Sequence, residues 1–190
     1  MAVLLRVRAL LLTVGALLVA GCGAPGLGDA GLIPGASLPT EGGVLLMEPS
    51  DARDTGDRVV AGSASSAAVA LRADLESRGF ELLLADGGQR AAALAEAAEL
   101  RCPLVMEVEF LGWNEAGLEW RDEPDRVELR LRVYSVPEGQ LLAWAHGERE
   151  GASVADKVST AHRMLEPLLH DLLEPIFDGR ELSEAPELDD

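Results

Sequence analysis

From Val127 to Tyr134 the chain alternates without a break, with Val127, Leu129, Leu131 and Val133 set against Glu128, Arg130, Arg132 and Tyr134. Successive side chains of a strand point to opposite faces, so this run must bury one face and leave the other in water. A helix would spread the same residues around its axis and bury none of them cleanly. A half-wet strand needs neighbours, and the flanking sequence supplies them. Leu104, Met106, Val108 and Phe110 alternate with Val105, Glu107 and Glu109. Pro137-Glu138-Gly139 makes a tight turn into a further strand, from Gln140 to about Glu148. The strands on either side of that turn should form a hairpin.

Upstream, Val44-Leu45-Leu46-Met47 is a short apolar strand stopped by Glu48-Pro49, and Phe80 to Leu84 is a second. Between them, after a polar loop from Ser50 to Arg58, Ser63 to Arg78 places Ala64, Ala68, Leu71 and Leu75 at three- and four-residue steps. That spacing predicts an amphipathic helix, with Ser63 as its N-cap and Gly79 at its C-terminal end. Asp86-Gly87-Gly88 turns the chain into an alanine-rich helix from Gln89 to Leu100. Near the other end Leu165, Leu168, Leu169, Leu172, Leu173 and Ile176 line one helical face. Burying each is worth about 1.5–3 kcal/mol, so this helix should dock on the sheet. Pro167 is expected to break it from an earlier helix near Ala155 to Met164. The order βαβαβββα predicts an α/β fold of the α+β kind: a single mixed β-sheet of about five strands with helices mainly on one face.

That domain occupies residues 43–178. Residues 22–42, rich in Gly, Pro and Ala, read as a flexible tether, and residues 179–190 as a disordered acidic tail. Residues 1–21 are of another kind. Arg6 and Arg8 precede an apolar run from Ala9 to Ala20, interrupted only by Thr13 and Gly15. The run is shorter than the ~20 apolar residues a membrane-spanning helix requires, and it sits where a secretory signal belongs. It ends in Val19-Ala20-Gly21-Cys22, which resembles a lipobox. Small residues let the lipoprotein signal peptidase close around the bond between Gly21 and Cys22, and the Cys22 thiol takes the lipid. The implied product is a chain held on a membrane by two or three acyl chains, an effectively permanent anchor where a single chain would be reversible. Gly23 follows the cysteine, where an aspartate would act as an inner-membrane retention signal. The expected address is therefore the cell envelope, on the outer membrane and facing the periplasm.

Charge narrows the partners. Without Arg6 and Arg8 the chain carries 14 basic against 33 acidic residues, a net of −19. Such a surface repels phosphate backbones and anionic headgroups, so nucleic acid is excluded as a partner and the acyl anchor is the expected membrane contact. The two cysteines are Cys22 and Cys102. With Cys22 acylated no intramolecular disulfide can form, and Cys102, beside Pro103, is expected to be a buried, inert thiol.

One segment stands out. Trp113 and Trp120 flank Glu115 and Glu119, and Arg121-Asp122-Glu123-Pro124-Asp125-Arg126-Val127-Glu128 follows into the alternating strand. A hairpin connection can close in fewer residues. Two outcomes stay open: the indoles fold back to cap the core, or they remain outside as an interaction surface made of Trp113, Glu119, Trp120 and Asp125. Trp144, on the last strand, is expected to lie in the core. The tryptophan segment, with Val60-Ala61-Gly62-Ser63 before it, resembles a family of uncharacterised proteobacterial lipoproteins. Its members carry two tryptophans seven apart, a glutamate before the second, and Pro-Asp-basic-Val-Glu entering a strand. Asn114, Glu115 and Ala116 replace the acidic pair and arginine usual there. The resemblance implies no activity. The family's element order is similar to that of lipoproteins of curli secretion, polysaccharide export and penicillin-binding-protein activation, an analogy of fold that does not fix function.

Catalytic motifs are missing from the sequence: it has no His-Glu-x-x-His, Cys-x-x-Cys, Gly-x-Ser-x-Gly or phosphate loop. Gly87-Gly88 is too short for a nucleotide cradle. His146, His162 and His170 are assigned to different elements, and Glu107 and Glu109 share a strand face that reads as solvated. No metal, cofactor or enzymatic activity is expected. The leading expectation is an envelope lipoprotein that binds a protein partner or assembles with itself. The alternative is a small-molecule or glycan-binding module using Trp113 and Trp120 as stacking surfaces.

Overall fold

The computed structural model describes residues 27–114, 125–151 and 161–178. Its elements in chain order are β1 (Leu27–Leu32), β2 (Gly42–Leu46), α1 (Ser63–Ser77), β3 (Phe80–Leu84), α2 (Arg90–Leu100), β4 (Leu104–Asn114), β5 (Arg126–Ser135), β6 (Leu141–Glu150) and α3 (Ala161–Phe177). The six strands form one mixed sheet in the order β1-β6-β5-β4-β2-β3. β2 runs parallel to both β3 and β4, and the other pairs are antiparallel.

Position in the sheet accounts for each strand's sequence. β2 lies between two parallel neighbours under helices on both faces, so Val44, Leu45 and Leu46 are all fully buried and the run has no polar side. Most of β5 is covered on one face only, where Val127, Leu129, Leu131 and Val133 join the main core with the buried leucines of α3. α2 lies on the opposite face, where Ala93 and Ala97 join Leu45, Met47, Val105 and Tyr134 in a second apolar cluster. Helices thus lie mainly on one face, as the pattern predicts, with α2 the exception.

The expected tether and the expected break at Pro167 both need correcting. The segment expected as a tether contributes the sixth strand: β1 pairs antiparallel with the edge of β6, from Leu27 opposite Gly147 to Leu32 opposite Ala143. Leu27-Gly28-Asp29-Ala30-Gly31-Leu32 has little strand propensity of its own, and backbone pairing to an open sheet edge overrides that. The break at Pro167 does not occur either, since α3 runs through both Pro167 and Pro175. Pro167 costs the helix the bond to the Arg163 carbonyl, but Arg163 faces water, which can replace it. An interior proline costs about 3 kcal/mol, whereas six buried leucine and isoleucine side chains each contribute about 1.5–3 kcal/mol. Docking wins.

Candidate functional site

Among the described residues, the half-wet face of β4, β5 and β6 carries a continuous set of ion pairs. α2 covers only the β2 side, so beyond Tyr134 the face is built from cross-strand charge pairs. Glu107 lies opposite Arg132, and Glu109 opposite Arg130. Arg132 reaches Glu107 at 3.2 Å and Glu109 at 3.5 Å, and Arg130 reaches Glu109 at 3.2 Å. The Tyr134 hydroxyl donates to Glu107 at 2.7 Å and accepts from Arg90 of α2 at 2.9 Å, and that guanidinium also lies over the phenol ring. Burial, and then the Glu107 carboxylate, push the Tyr134 hydroxyl above its ordinary pKa. Further along, His146 Nε2 lies 2.9 Å from Glu128, and Arg126 bridges Glu128 and Glu148. These acids and bases are matched to one another across the strands, which is how opposite-charge pairs stabilise a sheet.

Trp113 comes to the same end of the sheet from β4. Strict alternation from Val108 and Phe110 would aim Gly112 inward and Trp113 at water. Instead the register slips between Phe110 and Gly112, so that Gly112 pairs with Glu128 and Trp113 with Val127. The bulge adds one residue and turns the indole into the core. There Trp113 is 2% exposed, edge-on to Phe110 and to His162 of α3, and its indole N–H has no partner. Of the two outcomes left open, Trp113 takes the folded-back one and offers no surface. Asp125 precedes β5, and its carbonyl accepts from the Gly151 N–H at 2.8 Å. Glu119, Trp120, Gly21 and Cys22 lie outside the described residues, as do residues 179–190.

His162 stands beside Ser66, Nδ1 to hydroxyl at 3.2 Å, and the Ser66 hydroxyl also lies 2.9 Å from the Gly62 carbonyl, the helical bond a serine makes one turn back. The third histidine, His170, does not fall in an element of its own as expected but shares α3 with His162, and it contacts Asp74 at 2.6 Å. It borders an open depression of about 500 Å³ with Asp74, Arg149, Glu166, Pro167 and Asp171, where Arg149 is paired to Asp171. The three histidines therefore serve three separate contacts, and among the described residues no group of three ligating side chains could hold a metal.

Sequence reading missed the role of Asp51. Its carboxylate accepts from the Ala64 N–H at 2.9 Å, the Gly62 N–H at 3.3 Å and the Ser63 hydroxyl at 3.2 Å, capping α1 from a loop twelve residues upstream. The bond from Ala64 holds its pKa below the usual carboxylate value, against a smaller opposing effect of burial. Ser63 is not the N-cap expected of it: Gly62 holds that position, Ser63 is the first helical residue, and its buried hydroxyl oxygen accepts from the Ala52 N–H at 2.7 Å. No local pattern marks Asp51. Trp144 is buried, as expected, but its register opposite Arg132 places it on the charged face, and its N–H is also unpartnered. Cys102 is buried and free, with its thiol pushed up by burial and then by Glu81 and Glu96.

No family model matches the chain, and no curated protein matches it. Solved structures do. A variant of the PelC dodecamer from Paraburkholderia phytofirmans superposes with a TM-score of 0.54 at 19% identity, over 78% of this chain and 98% of that one. A second PelC dodecamer from the same organism gives 0.50 at 19% identity, over 76% and 98%. Lipoprotein GNA1162 from Neisseria meningitidis gives 0.46 at 11%, over 72% and 99%. At these identities the PelC likeness is one of fold.

Proposed function

We propose that this chain is an envelope lipoprotein, anchored through Cys22 and facing the periplasm from the outer membrane, whose α+β domain is a non-catalytic assembly module that associates with copies of itself or with a protein partner. The observation that carries the reading is the mutual pairing of the polar groups on the uncovered sheet face. Glu107 and Glu109 are engaged with Arg130 and Arg132, and Glu128 with His146, an arrangement that presents a patterned polar surface for a partner to match. The shared fold with a protein solved as a dodecamer supports self-association as the simplest form of assembly. A stacking role for two tryptophans loses one of them, because Trp113 is inside.

The test is the mass of the lipidated protein in detergent by multi-angle light scattering, paired with crosslinking in the native cell. The proposal expects a species of several protomers, or a specific crosslinked partner. A strict monomer that crosslinks to nothing contradicts it.

A further inference from the structure

We infer that the domain is held close against the membrane with one end of its sheet turned to the lipid: the end formed by the start of β1, the end of β4, the start of β5 and the end of β6. The inference rests on the acylation of Cys22 proposed above, and its core is an argument from chain length. β1 belongs to the domain, since it pairs with β6 and packs on α3, and Ala30 and Leu32 lie against the main core. Only Gly23, Ala24, Pro25 and Gly26 separate Cys22 from Leu27. An extended chain advances at most about 3.6 Å per residue, so these five steps span about 18 Å whatever path they take. Had the chain been free as far as Gly42, twenty steps would reach about 70 Å and impose no orientation.

An 18 Å leash is short beside the domain it holds. β6 has ten residues and is about 33 Å long. Leu27 lies opposite Gly147, close to the end of β6 at Glu150, where β5 begins at Arg126 and β4 ends at Asn114. The β5–β6 turn around Glu138 is at the other end of those strands. Attachment at Leu27 therefore keeps the Glu150 end near the bilayer, and standing the strands upright carries Glu138 away from it. Charge favours the upright posture: a mature net charge of −19 opposes laying a broad side on anionic headgroups. Leu111, 39% exposed on the bulge of β4, adds an apolar side chain at the near end.

The experiment uses the full lipidated chain in vesicles of phosphatidylethanolamine and phosphatidylglycerol doped with a headgroup-labelled energy acceptor. Donors are attached singly at Glu150→Cys and Glu138→Cys, both exposed positions, while the native Cys102 is buried. Transfer from position 150 should exceed transfer from position 138 several-fold, and inserting twenty Gly and Ser residues between Gly26 and Leu27 should erase the difference. Equal transfer from the two sites in the uninserted, lipidated protein overturns the inference and leaves the anchor standing. A protein whose mass shows an unmodified Cys22 and which does not float with the vesicles overturns both.

Discussion

Replacing Ser63 by Ala removes one oxygen from a site with no exposure to water, and the consequences can be worked out bond by bond. The Ala52 N–H, in a residue 1% exposed, loses its acceptor at 2.7 Å. An orphaned buried donor costs about 1–3 kcal/mol. Asp51 loses its Ser63 donor but keeps Ala64 and Gly62, so α1 stays capped. Alanine returns a few tenths of a kcal/mol through its higher helix propensity, about 0.5 at most. The net expectation is a loss of about 1–3 kcal/mol, and a domain of this size loses roughly 3–5 °C of melting temperature per kcal/mol. Urea unfolding followed by tryptophan fluorescence reads it directly, with an unchanged slope marking a true stability effect. Ser65→Ala, at an exposed position on the same turn, is the control and should be neutral or slightly stabilising. pH supplies a second readout. The folded-state pKa of Asp51 is depressed, so its contribution is present in full above the unfolded value near pH 4 and is lost as pH falls through the folded one. Losing the Ser63 donor should make the acid-side loss shallower. If Ser63→Ala proved as stable as Ser65→Ala at neutral pH, the account of Ser63 as the acceptor that satisfies the Asp51 loop would be wrong.

Three further substitutions probe separate contacts. Gly43→Ala places a methyl carbon 2.7 Å from the Cys102 sulfur and should cost about 1–3 kcal/mol; Cys102→Ala in the same chain should recover most of that, a non-additivity that chemical denaturation can measure. Arg78→Ala removes contacts to Asp74 at 2.5 Å and Asp178 at 2.6 Å and should cost about 1–3 kcal/mol in a thermal melt, with Arg78→Lys restoring less than half because an ammonium cannot span both carboxylates. Tyr134→Phe deprives Glu107 of one donor while Arg132 remains, so about 0.5–1.5 kcal/mol should be lost, and in Glu107→Gln the same change should cost less.

The sheet was legible where burial is one-sided. β5 announces itself because Val127, Leu129, Leu131 and Val133 pack on one face while Glu128, Arg130 and Arg132 do not. α3 was legible through its leucines for the same reason, but its continuity was not, because Pro167 argues locally for a break that only docking overrides. β1 was hidden: its glycines carry no period, and its place is set by the backbone edge of β6, more than a hundred residues away. The site shows the same division. The charge ladder follows from the strand pattern once the register is known, whereas the inward turn of Trp113 depends on a single extra residue at the bulge that no alternation predicts. Asp51 reaches α1 across a loop and leaves no local mark.

Both the anchored address and the orientation inferred for the sheet depend on the chemistry of one sulfur atom. Intact-mass spectrometry of the protein isolated from its native host tests it most directly. The account predicts a chain beginning at Cys22 and heavier than its polypeptide by two or three acyl chains and a glyceryl group. A retained leader, or a mature chain with a free thiol at position 22, would contradict it.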